Sequence, residues 1–158
     1  MNWKAFGLMA TLALLGACTD TSNNGAATGT GASATTGGVT PGSQEDLVAN
    51  VGDRVFYALD SSSLSTDARS TMDRQAAWLA RFPQVSIQMA GDCDERGTSE
   101  YNLALGQRRA NAARDYLVAR GASSARIVTI SYGKERPTAL GSDEQAYSQN
   151  RNAITSVR

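Results

Sequence analysis

The segment "GDCDERGTSEYNLALGQRRANA", Gly91 to Ala112, decides the fold. Its first half places three acidic residues within four positions, as expected for a loop. Its second half has the periodicity of a helix and carries two adjacent arginines, Arg108 and Arg109. The segment therefore predicts a loop that leads into a helix, with anionic groups before the helix and cationic groups on it.

Only one of these arginines is placed to face a site. At about 100° per residue, the apolar face of the helix comprises Leu103, Gly106, Ala110, Ala113 and Leu117. With Leu103 at 0°, this face points to about 315°, and Arg109, at about 240°, borders it. Arg108, at about 140°, points to solvent. Arg109 is therefore a candidate binding residue, and the alternative is that it pairs with a local carboxylate.

Asp94 is the second candidate, because it lies in the loop that feeds this helix. The alternative role is a loop carboxylate that only caps the helix or contacts solvent. We expect Asp92, Glu95 and Arg96 to be solvated surface charges.

The composition excludes several classes of enzyme. The 158 residues include no histidine and two cysteines, which removes Ser-His-Asp and Cys-His catalysis and the usual zinc sites. We expect no metal and no cofactor. A net charge of zero gives no attraction to nucleic acid. A glycan hydrolase with paired carboxylates is the alternative function.

Residues 1–17 are predicted to be a signal peptide. Lys4 precedes the eleven-residue apolar run Ala5–Leu15, which is shorter than the span of about 20 residues that a bilayer needs. The sequence Leu15-Gly16-Ala17-Cys18 resembles a bacterial lipobox. That resemblance implies that Cys18 is lipidated and becomes the mature N-terminus. Thr19, in place of Asp, favours the outer membrane.

Residues 18–43 are predicted to be the lipidated cysteine and a disordered tether. Thr19–Ser43 holds one charge, one large aliphatic residue and no aromatic residue, too little to form a core. As a flexible coil it would span about 25–30 Å, and fully extended about 80–90 Å. The tether would let the anchor and the folded domain lie in different layers of the cell envelope.

Residues 44–158 alternate strands with helices, which predicts an α/β domain. The predicted strands are Arg54–Leu59, Gln84–Gly91, Ala125–Gly133 and Asn152–Arg158. The predicted helices run from Ser65 or Thr66 to Pro83, from Thr98 or Ser99 to Arg120, and from Asp143 to Asn150. Cys93, at the end of a strand, is expected to be a free thiol that packs as a small apolar residue.

The opening segment closely resembles the signature of the outer-membrane-protein-A-like (OmpA-like) peptidoglycan-binding domain family. It is nearer still to the peptidoglycan-associated lipoproteins of the Tol-Pal system. "VFYALD", "SYGKERP" and "LGSDEQAYSQNR" match in the same order, so the resemblance covers about residues 55–154. It implies a two-layer α/β sandwich, with helices packed on a mostly four-stranded mixed sheet.

The resemblance also implies a function and a site. The family binds peptidoglycan non-covalently at meso-diaminopimelate in uncrosslinked stem peptides, and it is not enzymatic. It supports envelope integrity and outer-membrane constriction during cell division. TolB is the implied protein partner, with TolA as a second. Asp94 matches the residue that receives the ammonium group and Arg109 the one that receives the carboxylate, while the backbone at Leu59 and Asp60 adds hydrogen bonds.

Three positions depart from the pattern of the lipoproteins. Ala58 stands where a polar or acidic residue is frequent, and Asp92 stands where His or Asn is common. Asn152 stands where a second arginine often follows Arg151. The first two positions border the implied site, and Asp92 would add a negative charge beside Asp94.

The lipobox generates a first prediction. Replacing Cys18 by Ser removes the thiol to which the lipid would be attached, so the protein should lose acyl labelling and leave the outer-membrane fraction. Metabolic labelling with a fatty acid and membrane fractionation measure both properties. Recovery of the variant in the outer membrane with normal labelling would contradict the prediction.

Overall fold

The computed structural model describes residues 38–158. The predicted signal peptide, Cys18 and most of the predicted tether lie outside the described residues. The fold begins slightly before the predicted boundary at Gln44, because the N–H of Gly42 donates to Asp46 at 2.8 Å. Ser43 caps the first helix through its hydroxyl oxygen, which accepts from the N–H of Asp46. No helix among residues 38–158 is long and apolar enough to cross a membrane.

The described chain contains four strands and four helices. The strands are β1 (Arg54–Phe56), β2 (Ile87–Asp92), β3 (Ile127–Gly133) and β4 (Asn152–Val157). The helices are α1 (Gln44–Asp46), α2 (Thr66–Arg81), α3 (Ser99–Ala119) and α4 (Glu144–Asn150). A π-helical turn (Leu47–Val51) extends α1, and a 3₁₀ turn (Ser124–Arg126) precedes β3. The sequence predicted every strand and the last three helices, but not α1.

Side-chain caps fix where the helices begin. The hydroxyl oxygens of Ser65 and Thr98 accept hydrogen bonds from backbone N–H groups in the first turns of α2 and α3. The carboxylate of Asp143 does the same for α4. Each cap satisfies a backbone N–H that has no partner within its helix. The cap of Thr98 therefore fixes the start of α3 at Ser99.

The sheet is mixed and four-stranded, in the order β1-β4-β2-β3. β4 is antiparallel to both β1 and β2, whereas β2 and β3 run parallel. The predicted α/β fold with a mixed four-stranded sheet is therefore confirmed. Because β2 is central, its carboxyl end is surrounded by other elements, and the residues that follow it are buried.

β1 is shorter than predicted, because the chain turns after Tyr57. The N–H of Ser61 donates to the carbonyl of Ala58 at 3.3 Å, which places Leu59 and Asp60 at the centre of a turn. Asp60 adopts a left-handed backbone with φ of 53°. Residues other than glycine rarely adopt this conformation, and where they do it is often at a binding site.

The buried face of α3 differs from the prediction. Leu103 is 44 % exposed, so it does not belong to the core. The buried residues of α3 are Asn102, Leu105, Gly106, Arg109, Ala110, Ala113 and Leu117. Their mean direction is about 280° on the same wheel, which brings Arg109 to about 40° from the centre of the face. Arg109 therefore lies within the buried face rather than at its border.

Two glycines set how closely α3 approaches the sheet. A Cβ atom on Gly91 of β2 would lie 1.9 Å from the carbonyl oxygen of Gly106 on α3. A Cβ atom on Gly106 would lie 2.3 Å from Oγ of Ser131 and 2.7 Å from the carbonyl oxygen of Gly91. Neither position has room for a side chain. The contact fixes α3 against the end of β2, with Arg109 less than one turn further along.

This contact predicts that Gly91→Ala destabilises the domain strongly. The methyl group would overlap a backbone oxygen that cannot move alone, so we expect a loss of about 3 kcal/mol or more in the free energy of unfolding. Urea unfolding measures it. Gly121→Ala is the matched control, because it meets nothing within 4 Å and only its φ of 98° is unfavourable for alanine. A loss at Gly91 no larger than at Gly121 would contradict this packing.

Candidate functional site

A cleft of about 280 Å³ lies between the end of β2, the start of α3 and the β1–α2 turn. Its lining residues are Leu59, Asp60, Cys93, Asp94, Arg96, Gly97, Tyr101, Asn102, Leu105, Arg109 and Arg151. All four residues predicted for the site, Leu59, Asp60, Asp94 and Arg109, line this one cleft. Its volume suits a small ligand or one end of a larger one.

The guanidinium of Arg109 forms the inner wall of the cleft and is held by neutral acceptors. Nε donates to the carbonyl of Ser61 at 2.8 Å, Nη1 to the carbonyl of Asp92 at 2.9 Å, and Nη2 to the carbonyl of Ala58 at 3.1 Å. Nη1 also contacts Sγ of Cys93 at 3.4 Å. These contacts use four of the five N–H groups of the guanidinium, which leaves one on Nη2.

Arg109 carries a positive charge without a carboxylate partner. Arg109 is buried where it lines the cleft, and no carboxylate among the described residues lies within 4.0 Å of it. The alternative role, pairing with a local carboxylate, is therefore wrong. Burial lowers the pKa of Arg109, because removal from water disfavours its charge. The cleft thus contains a buried cation that lacks an anion.

Asp94, by contrast, is already neutralised. Its side chain is 6 % exposed and contacts two guanidinium groups, Nη2 of Arg96 at 2.5 Å and Nη1 of Arg151 at 3.3 Å. Burial alone would raise the pKa of Asp94, but the hydrogen bonds from Arg96 and Arg151 outweigh it and lower that pKa. The carboxylate of Asp94 therefore stays ionised at pH values below the usual pKa range of aspartate.

Of the three neighbouring charges that were predicted to be solvated, Glu95 and Arg96 are exposed and Asp92 is not. Arg96 is also bound to Asp94. Asp92 is 1 % exposed, because it still belongs to the central strand β2 and its side chain is covered. The sequence does not show that β2 extends beyond Gly91, because most of the residues that follow are charged.

The β1–α2 turn forms the outer wall of the cleft. Leu59 is 59 % exposed. The Tyr101 hydroxyl of α3 donates to the carboxylate of Asp60 and links the turn to the helix. Among the described residues, no backbone partner is found for the N–H groups of Leu59 and Asp60 outside regular elements. Both residues line the cleft, and their N–H groups have no acceptor among the hydrogen bonds of the described residues.

The sequence did not single out Arg151 and Tyr101 as site residues. Arg151 is buried just before β4, where Nε donates to the carbonyl of Tyr57 and Nη2 to Glu144. It is 57 residues from Asp94 in sequence, so no local pattern could join them. The only available signal was its place in the tract "QNR", which resembles the family. No group of three or more metal-ligating side chains is found within residues 38–158.

The chain is similar in sequence to proteins of one known family. The sequence pattern of the OmpA family matches residues 56–151. The chain is 53 % identical to the peptidoglycan-associated lipoprotein of Rhizobium meliloti (strain 1021), over 98 % of this chain and 86 % of that protein. It is 52 % identical to the protein of that name from Mesorhizobium japonicum, over 99 % of this chain and 92 % of the relative. The chain belongs to the OmpA family, in the group of the peptidoglycan-associated lipoproteins.

The crystal structure of the peptidoglycan-associated lipoprotein from Burkholderia pseudomallei agrees with this fold. It superposes with a TM-score of 0.65 and 42 % identity, over 67 % of this chain and 90 % of that chain. The fold predicted from the OmpA-like resemblance is thus confirmed by a solved relative. The three departures from the pattern of that group can now be located in the structure.

Two of the departures touch the site only through the backbone. Ala58 and Asp92 each offer a carbonyl oxygen to Arg109. The carboxylate of Asp92 does not line the cleft, because side chains alternate between the faces of a strand and Gly91 faces α3. Asp92 pairs instead with Arg136 at 3.1 Å. The charge that was expected beside Asp94 is therefore directed away from the cleft.

Asp92 and Asn152 each hold a buried oxygen, Oδ1, without a hydrogen-bond partner among the described residues. Nδ2 of Asn152 donates to the carbonyl of Gln149 and the hydroxyl of Thr138, so its orientation is set. Cys93 is a free, buried thiol, as expected, and burial raises its pKa. Burial also raises the pKa of Asp92, although Arg136 opposes the shift.

These contacts predict that Asp92→Asn stabilises the protein at neutral pH. A raised folded-state pKa means that Asp92 favours folding when protonated, below the ordinary aspartate pKa of about 4, and loses that contribution as pH rises. An amide removes the buried charge, so we expect a gain of about 1 kcal/mol at pH 7 that shrinks towards pH 4. Urea unfolding at both pH values measures it.

The control is Asp115→Asn, which removes an exposed carboxylate paired with Arg114. That change should alter the free energy of unfolding by less than about 1 kcal/mol. A loss of stability in Asp92→Asn at pH 7 would show that the pair with Arg136 outweighs the cost of burying the carboxylate.

Proposed function

We propose that this protein tethers the outer membrane to peptidoglycan by non-covalent binding of stem peptides that carry meso-diaminopimelate. The observation that carries the proposal is Arg109, a fully buried guanidinium without an anionic partner that lies in one cleft with Asp94. The side chain of diaminopimelate ends in an ammonium and a carboxylate on one carbon. Arg109 would receive the carboxylate and Asp94 the ammonium.

The turn before α2 would complete the binding of the carboxylate. The N–H groups of Leu59 and Asp60 are donors at the outer wall, and Arg109 has one N–H left on Nη2. Charge-assisted hydrogen bonds contribute about 1.5–3 kcal/mol each, so a few of them give a reversible attachment. Reversibility suits a tether that has to release peptidoglycan as the cell wall grows.

Support for peptidoglycan as the ligand comes from the relatives. The two homologues named above are peptidoglycan-associated lipoproteins and align with nearly the whole chain. On this proposal Cys18 carries the lipid in the outer membrane and residues 19–43 span the distance to the domain in the periplasm. TolB and TolA as partners, and a role in cell division, are also part of this proposal and rest on the family resemblance alone.

A glycan hydrolase fits the cleft less well. Such enzymes need one carboxyl group that stays protonated and a second that is ionised. The two carboxylates of the cleft are Asp60 and Asp94. Asp94 is held ionised by two arginines, and Asp60 accepts a hydrogen bond from the hydroxyl of Tyr101. Release of soluble muropeptides from purified sacculi by the protein would favour the hydrolase instead.

The proposal predicts that Asp94→Asn nearly abolishes binding to sacculi that contain diaminopimelate. The change keeps the size of the side chain and removes the charge that the ammonium needs. Leaving that ammonium uncompensated in a partly desolvated site should cost about 2–5 kcal/mol, or roughly 30-fold or more in affinity. Co-sedimentation of the purified protein with sacculi measures the change.

Arg109→Lys tests the other half of the clamp. It keeps a positive charge but loses the fork that contacts several acceptors, so binding should weaken strongly while circular dichroism checks the fold. Arg108→Ala is the matched control, because Arg108 is exposed on the next position of the same helix. If Arg108→Ala were as damaging as Asp94→Asn or Arg109→Lys, the assignment of the clamp would be wrong.

A further inference from the structure

The ammonium site at Asp94 is occupied by the protein's own arginine. Oδ1 of Asp94 accepts from the backbone N–H and Nε of Arg96, each at 3.2 Å. Oδ2 accepts from Nη2 of Arg96 at 2.5 Å and Nη1 of Arg151 at 3.3 Å. A carboxylate offers about four acceptor positions, so the four are taken. An incoming ammonium has no free place unless a donor leaves.

Arg96 is the donor that can leave. Its side chain is 39 % exposed, whereas that of Arg151 is 8 % exposed and is tied to the carbonyl of Tyr57 and to Glu144. Arg96 also has other neighbours that can hold its guanidinium after it releases Asp94. Its guanidinium carbon lies 4.3 Å from the centre of the Tyr147 ring, and Nη1 lies 3.7 Å from Oε2 of Glu144.

We propose that Arg96 is an internal competitor for the ligand's ammonium group and sets the affinity of the cleft. In the free protein its guanidinium neutralises Asp94, and on binding it withdraws to Tyr147 and Glu144 while the ammonium takes its place. The backbone N–H of Arg96 and the side chain of Arg151 stay on Asp94. This inference rests on the proposed function, since it assumes that the ligand brings an ammonium group to Asp94.

On this proposal, the ammonium group of a ligand has to displace the Arg96 guanidinium from Asp94. The exchange brings little net gain, because the carboxylate is paired in both states. The gain comes from the ligand's carboxylate at Arg109, which has no anionic partner among the described residues before binding. A ligand with an ammonium alone is therefore bound weakly, and Arg96 keeps the attachment to a ligand that carries both groups reversible.

The test compares Arg96→Gln and Arg96→Lys by calorimetric titration of the purified protein. The probe is a soluble stem tripeptide that ends in meso-diaminopimelate. Gln removes the competing charge, so binding should tighten by about two- to fivefold, the range of a partly exposed ion pair. Lys retains a competing cation and should stay closer to the wild type. A role in holding the loop would instead make both variants bind more weakly.

Arg136→Gln is the matched control. Arg136 is also partly exposed, pairs with an aspartate at 3.1 Å and stacks on a tyrosine, Tyr132, at 3.9 Å, but it does not line the cleft. Its replacement should leave the affinity for the tripeptide unchanged. An equal gain in Arg136→Gln and Arg96→Gln would overturn the proposal, since it would reflect overall charge.

The outcomes for Arg96 and for the proposed function are separable. Unchanged or weaker binding by Arg96→Gln, with wild type binding the tripeptide and Asp94→Asn failing to bind, overturns the competitor role alone. If the wild type does not bind the tripeptide, the proposed function fails and the competitor role fails with it.

Discussion

The site depends on one buried guanidinium. Arg109 joins three parts of the chain, because it donates to carbonyls of the β1–α2 turn and of β2 from its position on α3. Tyr57 strengthens the junction, since its hydroxyl donates to the carbonyl of Arg109 and its ring lies 5.3 Å from the guanidinium carbon. Burying a charge without a counter-ion is unfavourable, and these neutral acceptors offset only part of that cost. An anionic ligand would supply the missing compensation, so the same residue explains the shape of the cleft and its chemistry.

The close contact between Gly91 and Gly106 brings Arg109 to the place where this happens. Because neither residue has a side chain, α3 can lie against the end of β2 and carry Arg109 to the carbonyl of Asp92. The cap of Thr98 starts α3 just after the loop that holds Asp94. A loop and a helix that are adjacent in sequence thereby place an anion and a cation in the same cleft.

The sequence was sufficient for what is local or periodic. Alternation and capping residues predicted the four strands and three helices to within a few residues, and helical phase distinguished Arg109 from Arg108. It placed Leu103 in the core incorrectly, because Asn102 and Arg109 are polar residues on the buried face and apolar letters alone shifted its apparent centre. The helical phase therefore identified the correct arginine but placed Arg109 at the border of the buried face rather than within it.

What the sequence could not show is what folding brings together from a distance. The pair of Arg151 with Asp94 spans 57 residues, and the β1–α2 turn reaches Arg109 across about 50. The sequence predicts a surface charge at Asp92, because nothing in the run of polar residues shows that the central strand continues through it. Arg96 has the sequence context of an ordinary solvated arginine, and only its distances to Asp94 and Tyr147 indicate another role.

The charges in the free cleft are unevenly compensated. Arg96 and Arg151 are matched by the carboxylates of Asp94 and Glu144, whereas Arg109 is a further cation without an anion among the described residues. The cleft therefore lacks an anion beside Arg109, whereas the carboxylate of Asp94 already has cationic partners. On this account the carboxylate supplies most of the net binding free energy, and the ammonium determines orientation.

The most direct test of this account is a calorimetric comparison of two stem tripeptides that differ by one carboxylate. One ends in meso-diaminopimelate, and the other ends in lysine, which keeps the ammonium and lacks the carboxylate that Arg109 would receive. The account predicts that the lysine peptide binds at least about 30-fold more weakly to the wild-type protein. Equal affinity for the two peptides would contradict the claim that the buried guanidinium is the centre of the site.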